Sequence, residues 1–138
     1  MANSFEGSLD GRGLHIAVIS ARFNALVTER LLAATTGTLE RYGVAPGDID
    51  VFHVPGSYEI PLAAKTAAGT GRYDAVVCLG AVVRGDTDHY NYVAGGAANG
   101  IASAALDTGV PVIFGVLTTD TMEQALDRAG GKAGNKGI

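Results

Sequence analysis

This chain of 138 residues has no tryptophan, one cysteine, four prolines and a charged fraction of only 17%. A lone cysteine cannot close an internal disulfide, so the chain is not a disulfide-stapled scaffold, and a cytoplasmic location is expected by default. Cys78 lies in an apolar strand pattern, where a free cysteine behaves as a small buried hydrophobe, so a structural thiol is expected rather than a nucleophile. The longest strongly apolar run, Ala75 to Val83, is far shorter than the roughly 20 residues a membrane-spanning helix needs. The first residues carry Glu6 and Asp10 and no apolar block, so they do not read as a signal peptide. A formal charge of −4, a pI near 5.2 and the lack of any Lys/Arg run leave no footprint for nucleic acid or a membrane surface. Neither partner is expected.

Apolar residues, by contrast, make up 47% of the chain. Such a surplus over surface charge points to surface buried between subunits, and the length suits one domain.

Periodicity organises residues 14–138 as strands alternating with helices, behind an arm at residues 1–13. Strands are expected at Leu14 to Ser20, Ile49 to Val54, Asp74 to Val83 and Pro111 to Leu117. The third is apolar almost throughout, as in a parallel strand buried on both faces. Helices are expected at Ala25 to Tyr42, with Asn24 as N-cap and Gly43 as stop; around Pro61, which sits within the first turn, to about Ala68; at Tyr90 to Leu106; and at Met122 to Ala129, stopped by Gly130. Asp120 with Glu123 reads as an acidic variant of the capping box. This order implies a single-domain α/β three-layer sandwich on a parallel four-stranded sheet with right-handed crossovers.

In such sheets ligands bind beyond the carboxyl ends of the strands, so chemistry is sought in four loops: 21–24, 55–59, 84–90 and 118–120. The third loop sets His89 at a helix start, where free N–H groups favour an anion and the dipole favours a neutral imidazole able to accept a proton. His89 is the candidate general base and acid, with a capping or solvent-facing histidine as the alternative. His15 and His53 fall in strands and read as structural. Phe23 at a loop tip suits either core packing or stacking on a planar heterocycle. Arg128, Lys132 and Lys136 suit either a phosphate or a solvated helix end. Gly11-Arg12-Gly13 precedes the first strand, and Gly80 to Gly85 is followed by Asp86-Thr87, so neither a dinucleotide fingerprint nor a P-loop is present. The three histidines and the cysteine are too scattered to suggest a metal site.

Ala21-Arg22-Phe23-Asn24, the runs Val54 to Pro61 and Gly80 to Val93, Phe114 to Thr119 and Gln124 to Gly137 together resemble the lumazine synthase family. The likeness spans about residues 14–137, and the loop ending in His89 and the run Arg128 to Gly137 are its most specific parts. The resemblance implies a flavodoxin-like fold assembled as pentamers or icosahedral shells, with sites shared between subunits. It implies condensation of a ribitylaminouracil with a four-carbon ketose phosphate in riboflavin biosynthesis, with no cofactor or metal. Phe23 would stack on the uracil, with Asn24 beside it. Ser57, Tyr58 and Glu59 would line the pyrimidine and ribityl pocket, and Ala81 and Val82 would offer main-chain contacts. Asp86 and Thr87 would give backbone N–H groups to the phosphate, and His89 would move protons. Phe114, Arg128 and Lys136 would reach the site from a neighbouring subunit. A non-catalytic flavin-binding or shell-forming protein is the alternative.

Two departures accompany the likeness. Asp86 stands where the family often has a small neutral residue, so its carboxylate must point away from a phosphate. Family members also continue past the Gly-Asn-Lys-Gly stretch into a further helix, so the domain is expected to lack that helix and to be marginal as a free monomer.

Overall fold

The computed structural model describes residues 2–138. Four parallel strands, β1 (Ile16–Ala21), β2 (Ile49–Val54), β3 (Ala75–Val83) and β4 (Val112–Thr119), form a sheet in the order β2-β1-β3-β4. Helices α1 (Ala25–Arg41) and α4 (Met122–Arg128) cover one face, while α2 (Ile60–Gly69) and α3 (His89–Thr108) cover the other. The expected three-layer α/β sandwich is what the chain forms.

The two-residue period of the strands splits the core between these faces. In β1, Ala17, Ile19 and Ala21 pack with α2 and α3, while Ile16 and Val18 pack with α1. In β3, Val76, Cys78 and Val82 face α2 and α3, whereas Leu79 and Ala81 face the other way. Every residue of β1 is buried, as a central strand requires, whereas Val51, Phe52 and His53 on edge strand β2 are exposed.

Several expected details are corrected. Asn24 does not cap α1 with its side chain: its backbone is left-handed (φ 62°, ψ 47°), and its Nδ2 donates to the Ala81 carbonyl at 2.9 Å. The short polar side chain of asparagine tolerates that conformation, and here it ties the β1–α1 loop to β3. The capping box of α4 lies one residue later than expected. Thr121 Oγ1 accepts from the Gln124 N–H at 3.1 Å, and Gln124 Oε1 accepts from the Thr121 N–H at 3.3 Å. Gly130 follows the end of α4, as expected of a helix stop, and at φ 114° it turns the chain into a small hairpin that was not expected, β5 (Ala129–Gly131) with β6 (Gly134–Asn135). Thr35 donates from α1 to the Gly137 carbonyl at 2.8 Å, which holds the Gly/Lys-rich tail against that helix. His15 sits just before β1, exposed, with Nε2 3.2 Å from an Asp48 carboxylate oxygen.

Candidate functional site

Beyond the carboxyl ends of β1, β2 and β3 lies an open cleft of about 760 Å³. It is lined by Phe23 and Asn24, the turn Pro55 to Glu59, the last residues of β3 (Ala81 to Val83), Gly85, Thr87 and the first turn of α3. Each wall has a physical origin. The β1–α1 loop is laid along the exit of β2, with the Arg22 N–H on the Val54 carbonyl at 2.8 Å and the Phe23 N–H on the Pro55 carbonyl at 3.0 Å. That course leaves the Phe23 ring 72% exposed at the rim, away from the core.

The second wall, Ser57 to Pro61, is set by glycines. A side chain at Gly80 would strike the buried Ser57 hydroxyl, one at Gly96 would stand 2.7 Å from Tyr58 Cε1, and one at Gly100 would stand 2.5 Å from two ring carbons of Pro61. The turn therefore lies directly on β3 and α3, with the Tyr58 ring across the α3 backbone.

The third wall is the segment from Arg84 to Tyr90. His89 is exposed as the first residue of α3, and its N–H donates to Thr87 Oγ1 at 3.3 Å. Gly85 and Thr87 line the cleft while the exposed Asp86 does not.

Nine of the residues singled out from sequence thus share one cleft: Phe23, Asn24, Ser57, Tyr58, Glu59, Ala81, Val82, Thr87 and His89. The Ala81 carbonyl already accepts the Asn24 amide, so part of its hydrogen-bonding capacity serves the fold. Phe114, Arg128 and Lys136 do not reach this cleft within one chain. Phe114 is half exposed on the edge strand β4. Arg128 lines a second, smaller cavity of about 440 Å³ with Thr118, Asp120, Gln124 and Asp127. Tyr92 and Val93 also line the main cleft and were not singled out from sequence. Their signal was available, since both lie one helical turn after His89, at i+3 and i+4. Burial pushes the Cys78 thiol up to about 12, and the residue lies in the core and does not line the cleft. Among the described residues no group of three or more His, Cys, Asp or Glu side chains is placed to hold a metal ion.

A sequence profile of the 6,7-dimethyl-8-ribityllumazine synthase family matches residues 13–138. The 6,7-dimethyl-8-ribityllumazine synthase of Deinococcus radiodurans is 59% identical over 132 residues, which cover 96% of this chain and 85% of that protein. With a profile match over almost its whole length and a relative this similar, the chain belongs to the 6,7-dimethyl-8-ribityllumazine synthase family.

Proposed function

We propose that the cleft condenses 5-amino-6-(D-ribitylamino)uracil with 3,4-dihydroxy-2-butanone 4-phosphate to 6,7-dimethyl-8-ribityllumazine, a transferase step of riboflavin biosynthesis. The observation that carries this reading is the convergence of Phe23, the Ser57 to Glu59 turn and His89 on one cleft in a chain of this family. In the reaction the 5-amino nitrogen attacks the ketone and loses water to give an imine. Phosphate leaves, and the ribitylamino nitrogen closes the second ring with loss of a second water. No electrons pass to an external acceptor, so the sequence needs no redox cofactor.

In this reading Phe23 stacks on the pyrimidine at the rim, Ser57 and Glu59 hydrogen-bond the uracil and ribityl groups, and Tyr58 closes the side. Main-chain groups at Ala81 and Val82 complete the uracil site, N–H groups near Asp86 and Thr87 take the phosphate, and His89 carries protons between the reacting nitrogen and oxygen atoms. Holding two reactants in register contributes about 7 to 11 kcal/mol, against about 10² to 10⁴-fold from one acid–base group, so positioning is the larger share.

The same reading makes the protein a homo-oligomer, a pentamer or an assembly of pentamers, in which Phe114, Arg128 and Lys136 complete a neighbour's cleft. Its support is that none of these groups lines the cleft of its own chain, and that Ile113 and Phe114 are exposed on edge strand β4. A cytoplasmic location goes with a chain that has one buried cysteine and no described helix long and apolar enough to cross a membrane.

The test is incubation of the purified protein with both substrates while lumazine fluorescence and phosphate release are followed. Equal appearance of the two is expected. A folded, assembled protein that makes no lumazine, or that carries flavin absorbance and no turnover, would overturn the enzymatic reading.

A further inference from the structure

Arg84 lines neither cavity, yet it contacts the walls of both. Its N–H donates to the Thr119 carbonyl at 2.9 Å, carrying the β3–β4 pairing one residue past the strand ends. Its Nε donates to Asp120 Oδ1 at 3.0 Å, and its Cζ stands 4.4 Å from the centroid of the Tyr90 ring. Tyr90 lines both the main cleft and the second cavity, so the guanidinium braces the partition between them. Asp120 is itself held, because its N–H donates to Gln124 Oε1 at 2.9 Å, within the capping box of α4.

Arg84 begins the β3–α3 loop, and Tyr90 lies in the first turn of α3 just beyond its other end, one residue past His89. Among the described residues, Gly85 to Asp88 make no hydrogen bond beyond the first turn of α3. The span of this loop is therefore set by its ends, and the Arg84 side chain joins those ends to each other and to the β4–α4 loop.

We propose that Arg84 is a positioning residue for the condensation: stacked on Tyr90 and paired with Asp120, it fixes where His89 and the Gly85 to Thr87 backbone stand relative to the cleft. The assignment of a reaction rests on the function proposed above, whereas the ordering of the loop does not. An exposed ion pair and an exposed cation–π contact are each weak, so their deletion has little effect on overall stability. A small displacement of reacting groups, by contrast, is amplified in rate.

Two measurements test this. Steady-state kinetics of Arg84→Ala should show kcat/KM for the ketose phosphate reduced about ten- to a hundredfold. The KM for the uracil should change less than about twofold, which separates a displaced phosphate side from a general loss of the site. Arg84→Lys keeps the charge but not the planar stacking fork, so it recovers only part of the loss. Because both contacts act through one loop, Arg84→Ala combined with Tyr90→Leu should be no slower than the worse single variant. Hydrogen exchange by mass spectrometry, which needs no substrate, should show residues 83–93 exchanging about tenfold faster in Arg84→Ala, with β1 and α1 unchanged. If the wild-type protein makes no lumazine, the function reading falls and exchange alone decides the loop claim. Unchanged exchange in residues 83–93 would overturn the proposal. So would equal weakening of both substrates with a lower thermal midpoint, which marks a merely structural residue.

Discussion

The turn Ser57 to Pro61 touches the rest of the molecule through backbone-to-side-chain contacts that leave no room for a Cβ at Gly80, Gly96 or Gly100. Across the same cleft, a side chain added at Gly85 would meet nothing within 4 Å, and the loop around it is held only at its ends. One wall is set by excluded volume, and its backbone cannot shift without moving a helix; the other is set by a few polar contacts and can adjust. The first suits a planar ring whose shape is the same before and after reaction. In the function proposed above, the second is the side that would follow a changing ketose phosphate and then release phosphate.

The largest expected effect comes from the adjustable wall. His89→Ala should slow condensation by roughly 10 to 10³-fold while leaving thermal stability unchanged, because the side chain is exposed and substrate positioning survives its removal. The comparison breaks if stopped-flow fluorescence shows a normal rate, or if the thermal midpoint falls with it.

The packed wall predicts the opposite pattern. Gly100→Ala places a methyl 2.5 Å from Pro61, whose ring cannot rotate away, so α2 must shift against α3. Overpacking of this kind typically costs about 1 to 3 kcal/mol, offset by about 1 kcal/mol of helix propensity gained at an interior glycine. A separation of 2.5 Å from a rigid ring puts the cost in the upper part of that range, about 2 to 3 kcal/mol, so a net loss of about 1 to 2 kcal/mol is expected in denaturant unfolding. An unchanged midpoint would show that the two helices slide freely.

Gly96→Ala sharpens the distinction. The atom it meets is Tyr58 Cε1, the far end of a 63% exposed side chain that can swing outward, so the propensity gain of about 1 kcal/mol is not opposed by backbone strain. Stability should hold or rise slightly, while affinity for the uracil falls a few-fold as Tyr58 leaves its place. Calorimetric binding of the uracil in the absence of ketose phosphate measures that fall directly, and unchanged affinity would remove Tyr58 from the pocket.

How far the sequence foretold these walls depends on the kind of signal. The strands and helices follow from hydrophobic period, and the loop order follows from the sheet rule, so Phe23, Ser57 to Glu59 and His89 were legible as one rim before any coordinates. The glycines were not, because their role depends on which helix crosses which strand, and nothing in the Gly95 to Gly100 stretch says that Tyr58 and Pro61 lie above it. Asn24 misled because a residue ideal for an N-cap is also one of the few that tolerate left-handed backbone, and the second property decides its place here. The tail was unreadable because a Gly/Lys-rich segment has no period; Thr35 and the Arg30 carbonyl, a hundred residues earlier, give it a partner.

A further comparison is read at Cys78, which belongs to the core cluster that also holds Ile60, Ala64, Ala97 and Ile101 on the side of α2 and α3. Burial moves its thiol from 9.0 to about 12, so near pH 8 the native state holds almost no thiolate, the form that reacts. A disulfide labelling reagent should therefore modify it only when the wall opens. Because the folded value is the higher one, this linkage contributes full stability below pH 9.0 and loses it as the pH rises toward about 12. When opening and closing are fast, the labelling rate tracks the open population. Gly100→Ala should then speed labelling by about 5 to 30-fold, the population equivalent of 1 to 2 kcal/mol. Arg84→Ala and His89→Ala, which loosen only the other wall, should leave it within about twofold, since changes at separate sites with no shared partner act independently. Faster labelling in Arg84→Ala would mean that the two walls open together, and the division between a fixed and an adjustable side of the cleft would not hold.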